Sequence, residues 1–158
     1  LAMFRREYEK LLPTETQERI EQSSYEILEY VFGLLENGSD PDVLAAGDGS
    51  GVAYHSHCQQ RTLNLELYTE AVLTELGYDI VTSDVECCGM AGSFGYKSEY
   101  YELSMDVGEH LAEQFEGIGD RTIVASGTSC IEQLDSLLST ETRHPVQLID
   151  PAAAGRHR

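Results

Sequence analysis

The run Glu-Cys-Cys-Gly-Met-Ala-Gly-Ser-Phe-Gly at positions 86–95 constrains this chain more than any other stretch. A disulfide between the adjacent Cys87 and Cys88 would be strained away from normal geometry. Two neighbouring thiolates are instead suited to a metal centre. Gly89, Gly92 and Gly95 let the backbone fold closely around whatever the sulfurs hold. The stretch reads as a metal or iron–sulfur site, and the remaining ligands must come from elsewhere in the chain.

Hydrophobic periodicity places the other two cysteines, Cys58 and Cys130, in a definite frame. Short apolar runs at 51–55, 78–82, 122–125 and 146–149 read as strands. Amphipathic helices are predicted over 3–12, 14–36, 61–76, 99–115 and 129–138. Thr14 with Gln17 reads as a capping box, and Asn37-Gly38 and Gly77 as helix stops. Alternating strands and helices predict an α/β fold: a mainly parallel sheet of about four strands flanked by helices. Cys58, the Cys87/Cys88 pair and Cys130 each follow a different strand, so all are expected at the C-terminal rim of the sheet, where such sheets bind ligands. Residues 1–50 read as a helical lead-in that ends a preceding module, 51–150 as the cysteine-rich module, and 151–158 as a flexible tail.

At 158 residues the chain has the length of one domain, and it has no apolar stretch of membrane-spanning length. It begins at Leu1 without the apolar core of a signal peptide and reads as a piece of a longer protein. The net charge is −18, from 28 acidic and 10 basic residues. Such a surface repels itself, and molar salt, with a Debye length of about 3 Å, screens that repulsion. A halophilic source is the expectation. The basic stripe that nucleic acid binding requires is missing. Nothing marks the chain as secreted, so its four cysteines should stay reduced in a cytoplasmic setting.

Several chemistries compete for these residues. Four buried cysteines could act as small hydrophobes. Thiolate ligation explains their rim placement better, and both iron–sulfur clusters and structural zinc accept four sulfurs. The short C-x-x-C pairs of zinc knuckles are missing. The glycine spacing is not a dinucleotide fingerprint, and backbone N–H groups turned toward sulfur account for it better. Cys130 is placed near a helix N-terminus, which favours a thiolate. No orienting His–Asn/Asp pair supports a cysteine hydrolase. His55 and His57 share a face near a strand end, and either is a candidate ligand or a donor to a sulfur; the competing reading, favoured for His55, is a histidine satisfied by local hydrogen bonds. Met90 and Phe94 either shield the site or pack the core.

The runs Tyr54-His-Ser-His-Cys58, Glu86-Cys-Cys-Gly-Met-Ala-Gly-Ser-Phe-Gly95 and Ala125-Ser-Gly-Thr-Ser-Cys130 resemble the CCG cysteine-rich domain. That domain occurs in heterodisulfide reductase, in the iron–sulfur part of anaerobic glycerol-3-phosphate dehydrogenase, and in FAD-linked D-2-hydroxyacid dehydrogenases such as glycolate oxidase. The resemblance covers roughly residues 1–150, and its wording is most similar to the flavin-linked branch. It implies an iron–sulfur electron-transfer module, not itself catalytic, that passes electrons from FAD on another domain or subunit toward a quinone or other acceptor. Its implied partners are a flavoprotein and a membrane quinone-linked protein, through which any membrane association would be made. By the same resemblance Cys58, Cys87, Cys88 and Cys130 occupy ligand positions, with Gly89, Gly92, Gly95 and His57 around the cofactor. One position departs from the pattern: Gly127 stands where the fullest motif has the first cysteine of C-x-x-C. This argues against a five-cysteine cluster. A 4Fe-4S cubane, a site completed from elsewhere, or zinc remain open, as does a metal-free thiol-redox domain.

Overall fold

Three parallel strands, β1 (Gly51–His55), β2 (Asp79–Thr82) and β3 (Thr122–Ala125), form the sheet in the order β2-β1-β3. The architecture is seen in a computed structural model that describes residues 1–154. Ala53 of the central strand faces Val81 on one side and Ile123 on the other. Helices α1 (Thr14–Gln22), α2 (Ile27–Glu36), α3 (Cys58–Thr62) and α4 (Glu66–Glu75) precede β2; α5 (Tyr101–Phe115) precedes β3. Helices α6 (Thr128–Leu137), α7 (Pro145–Ile149) and α8 (Pro151–Ala154) complete the described chain. The α/β class and the parallel sheet are as the sequence predicts.

Alternation along the strands divides the core into two. Val52, Tyr54 and Val124 pack with Leu28, Val72, Leu73, Leu76 and Ile149, which come from α2, α4, α7 and the end of α4. Ala53, Ile123 and Ala125 pack on the opposite face with Leu111 and Phe115 of α5, Leu134 of α6, and Cys88, Met90 and Cys130. The sulfur-bearing loop is thus part of the second core. Covering both faces with helices is what a parallel sheet requires.

Several local expectations are corrected. Residues 146–149 are helical, not a fourth strand. Pro145 opens α7, the Val146 N–H donates to His144 Nδ1 at 3.2 Å, and the His144 N–H donates to Gln147 Oε1 at 2.7 Å. This capping box with Pro at the first position nucleates a helix. What remains of a fourth strand is one bridge, in which Arg143 exchanges backbone hydrogen bonds with Ala125 and Ile123 beside β3.

The helix expected over 14–36 is two helices. Glu26 caps the second, accepting from the Leu28 and Glu29 N–H groups at 2.8 and 3.2 Å, while the Glu29 carboxylate accepts from the Glu26 N–H at 3.0 Å. Arg5 holds this corner, donating to the Ser24 carbonyl and at 2.7 Å to Glu29. Pro13 caps α1 without a side-chain bond, so the Thr14–Gln17 capping box does not form. The helix expected over 61–76 is likewise two, separated by Asn64 at φ +54°. The first predicted helix, 3–12, is a pair of irregular helical turns, Met3–Glu7 and Tyr8–Lys10. Of the expected tail, Pro151–Ala154 is one helical turn and 155–158 lie outside the described residues.

Candidate metal centre

The four cysteines come from loops and helix starts just past the three strands. Cys58 opens α3 after β1, Cys87 and Cys88 lie in the loop after β2, and Cys130 is in the first turn of α6 after β3. All four are free thiols; Cys58 is exposed, Cys87 half-buried, and Cys88 and Cys130 buried. The convergence on one rim is as the sequence predicts.

The loop that carries Cys87 and Cys88 is shaped by backbone close approach. Gly89 has φ +93°, and a Cβ there would be driven into the carbonyl oxygen of Ser104 on α5. The Ser104 hydroxyl donates to the Gly89 carbonyl at 3.0 Å, and Gln133 of α6 donates to the Ser104 carbonyl at 2.9 Å. A Cβ on Gly95 would lie 2.5 Å from Ser104 Oγ and 2.6 Å from Met90 Sδ. Gly92, by contrast, has open space and only its φ of +69° to explain it. The loop is further tied to α6 by the Tyr96 hydroxyl, which donates to Glu132. Phe94 stacks on Tyr100 at 4.7 Å, and Met90 is in the core with Cys88 and Cys130.

The sulfurs carry distinct electrostatics. The Gly89 N–H donates to Cys87 Sγ at 3.4 Å. Cys88 accepts hydrogen bonds from the Cys130 thiol and from the Met90 N–H, and these outweigh burial and hold its pKa below the ordinary thiol value. Cys130 is pushed up, first by donating to Cys88, then by burial, then by like charge on Cys88, Cys58 and Cys87. Proximity to a helix N-terminus is therefore outweighed at Cys130, and within the pair negative charge is favoured on Cys88.

Two histidines, His55 and His57, lie at the end of β1 just before Cys58. His55 is fully buried and pairs in register with Ala125, on the face that holds the cysteine core. Its Nδ1 is 2.9 Å from Ser83 Oγ, and its Nε2 has no hydrogen-bond partner. Burial, then the positive charge of Arg61, then His57, bring its pKa down to about 4. Arg61 bridges the loops after β1 and β2, donating to Ser56 Oγ at 2.6 Å and to the Ser83 carbonyl at 3.0 Å. His57 caps α3 and is held by Ser126, whose Oγ lies 3.1 Å from its backbone N and 3.3 Å from its Nδ1. Its pKa is lowered by burial, against the hydrogen bond with Gln60 and together with the charge of His144.

Gln60, 1% exposed, is the hub of a buried network that sequence reasoning did not find. Its Oε1 accepts from Tyr54 at 2.7 Å and from Ser126 at 2.5 Å, and its Nε2 donates to Thr69 at 3.2 Å. Burial pushes the Tyr54 pKa up to about 12. The available signal was Ser126, inside the run that carries Cys130; Gln60 has no pattern that marks it.

Among the described residues, no three His, Cys, Asp or Glu side chains are gathered tightly enough to hold a single ion. The chemistry of the donor set is nonetheless that of a soft centre: four sulfurs on one rim, one of them favoured as thiolate, with backbone N–H groups directed at Cys87 and Cys88.

A parallel α/β layer whose strands each lead to a thiol defines a cysteine-rich domain with its site at the carboxyl edge of the sheet. The chain belongs to the CCG cysteine-rich domain family, which it matches over residues 52–135. It is 33% identical over 104 residues to one subunit of the anaerobic glycerol-3-phosphate dehydrogenase of Escherichia coli, a match covering 65% of this chain and 26% of that protein. It is 30% identical over 113 residues to D-2-hydroxyglutarate dehydrogenase of Pseudomonas putida, covering 69% of this chain and 11% of that protein. The corresponding Escherichia coli dehydrogenase is 28% identical over 120 residues, 73% of this chain and 12% of that protein. The chain thus spans about a quarter or less of the length of these relatives. No solved structure matches it. No helix among the described residues is long and apolar enough to cross a membrane.

Proposed function

We propose that this chain is an iron–sulfur electron-transfer module of a flavin-linked oxidoreductase, of the glycerol-3-phosphate or D-2-hydroxyacid dehydrogenase type. Cys58, Cys87, Cys88 and Cys130 hold a cluster of the 4Fe-4S kind. The observation that carries the reading is the delivery of all four thiols to one rim by three separate strand ends. Likeness to one subunit of a glycerol-3-phosphate dehydrogenase and to a domain-sized part of a hydroxyacid dehydrogenase supports the setting.

When bound, such a cluster supplies a one-electron relay between the flavin and an acceptor. The chain's own residues do the rest. The Gly89 N–H at Cys87 and the Met90 N–H at Cys88 stabilise negative charge on sulfur, which raises a cluster's potential. Met90, Leu111, Phe115 and Leu134 exclude water from the inner side of the rim. The exposed Cys58 is on the outer side, where an electron partner has access. FAD and substrate are carried by another domain or subunit, and the acceptor is a quinone-linked or other partner.

A zinc-stabilised interaction domain is the competing assignment. One zinc takes all four sulfurs at about 2.3 Å, whereas a cluster takes one thiolate per iron together with inorganic sulfide. The visible spectrum of chain prepared without oxygen separates the two. A broad iron–sulfide absorbance that bleaches on one-electron reduction is expected; a colourless chain with stoichiometric zinc, unchanged by anaerobic iron reconstitution, would overturn the proposal.

A further inference from the structure

The turn that opens α3 packs directly against the turn that opens α6. A Cβ built on Gly127, the residue that caps α6, would lie 2.8 Å from His57 Cβ and 3.3 Å from Cys130 Sγ. His57 in turn caps α3, whose first residue is Cys58. The turn that presents Cys58 thus meets the turn that presents Cys130 with no room for a side chain at 127.

One hydroxyl locks this joint. The His57 N–H donates to Ser126 Oγ at 3.1 Å, and Ser126 Oγ is hydrogen-bonded to Gln60 Oε1 at 2.5 Å. The Ser126 N–H donates to the His55 carbonyl at 3.2 Å, so a single residue holds both ends of the segment 55–57 that leads into Cys58. Gln60, 1% exposed, is also bonded to Tyr54 at 2.7 Å and to Thr69 at 3.2 Å, which root it in β1 and α4. These bonds are made without any thiol. The Cys58 side chain itself is exposed, so packing does not fix its sulfur, and the bonds at the start of α3 must do so.

We infer that Ser126 and Gln60 are positioning residues of the centre: they preset the Cys58–Cys130 side of the rim, so that Cys58 meets the metal already placed against the Cys130 turn. The inference rests on the metal-binding reading of the cysteine rim. Both residues act through the His57 N–H and the start of α3, not as ligands. Ordering of an exposed cysteine turn is then completed on folding instead of on metal binding. Removing a group that orients a ligand in this way weakens metal binding by roughly 10- to 100-fold.

The test compares the 158-residue parent with Ser126→Ala and Ser126→Thr after reconstitution without oxygen with ferrous iron and sulfide. Iron and acid-labile sulfide per chain are measured, and the cysteines that iodoacetamide alkylates are mapped by mass spectrometry. All four cysteines are expected to be protected in the parent. In Ser126→Ala, Cys58 should be alkylated roughly tenfold or more faster, while Cys87, Cys88 and Cys130 stay protected. Ser126→Thr keeps the hydroxyl and should match the parent. Gln60→Leu should act in the same direction as Ser126→Ala, and combining the two should add little, because they break one bond; strict additivity would strike Gln60 from the assignment. Unchanged protection of Cys58 in Ser126→Ala would overturn the inference and leave the cysteine reading intact. Exposure of all four cysteines together, the sign of a general loss of structure, would overturn it as well. A parent that binds no iron or sulfide would overturn both, and metal analysis alone detects this. Amide hydrogen exchange in the metal-free parent decides the question even if the variants do not fold: the His57 amide should exchange as slowly as those of β1, and exchange at the rate of open chain would overturn the inference.

Discussion

Gly89 and Ser104 are packed backbone to backbone: the Cβ that Gly89 lacks would be driven into the Ser104 carbonyl oxygen, while the Ser104 hydroxyl donates back to the Gly89 carbonyl at 3.0 Å. This contact presses the loop after β2 onto α5 and sets where Cys88 enters the core. Gly89→Ala combines a left-handed φ of +93° with a collision against main chain. The expected cost is about 3 kcal/mol or more in urea denaturation. Gly92→Ala has open space at φ +69° and is expected to cost only about 1 kcal/mol. Equal effects would show that the close approach to α5 is not what the first glycine serves.

Acid should destabilise the fold through its buried histidines. His55 has a pKa of about 4 in the folded chain against an ordinary 6.5, so between those values the unfolded chain binds more protons. Stability is therefore full above about pH 6.5 and falls as pH drops, the loss being complete near pH 4. The shift corresponds to up to about 3 kcal/mol for His55 alone. His57 and His144 are lowered too and act in the same direction. Thermal melts of the metal-free chain from neutral to mildly acidic pH measure this, and His55→Gln should flatten the slope. An unchanged slope in that variant would remove His55 as its source.

How much of this was legible in the sequence depends on the kind of interaction. The three strands were, because Val52, Tyr54 and Val124 alternate with Ala53 and Ile123 in runs bounded by turn residues. The convergence of cysteines followed from the strand order of an α/β layer. The fourth strand was misread because Val146 to Ile149 is a short apolar run of ambiguous period, and the deciding cap is made by His144, an uncommon capping residue. The break before Glu26 was hidden because Ile20, Ser24, Ile27 and Leu28 continue the helical spacing across it. The Gln60–Ser126 bond joins residues 66 positions apart and leaves no periodic trace.

Salt should stabilise the chain. A net charge of −18 sets like charges against one another over the whole surface. Among the described residues few ion pairs relieve it; Arg121–Asp79 at 2.5 Å and Arg5–Glu29 at 2.7 Å are the closest between separate elements. Screening removes the repulsion faster than it weakens these pairs. Raising potassium chloride from about 0.05 M to about 2 M should raise the melting temperature by roughly 5–10 °C. A melting temperature that falls with salt would show that attraction between specific pairs dominates.

The central claim is that the four cysteines together hold an iron–sulfur cluster. Iron and acid-labile sulfide per chain, measured after anaerobic reconstitution and removal of unbound metal, test it most directly in the parent and in Cys58→Ser, Cys87→Ser, Cys88→Ser and Cys130→Ser. The account predicts about four irons and four sulfides in the parent, with loss of most of both in Cys88→Ser and Cys130→Ser and a labile remnant in Cys58→Ser and Cys87→Ser. Iron and sulfide that stay at parental levels in all four variants, or a parent that takes up zinc but no sulfide, would contradict it.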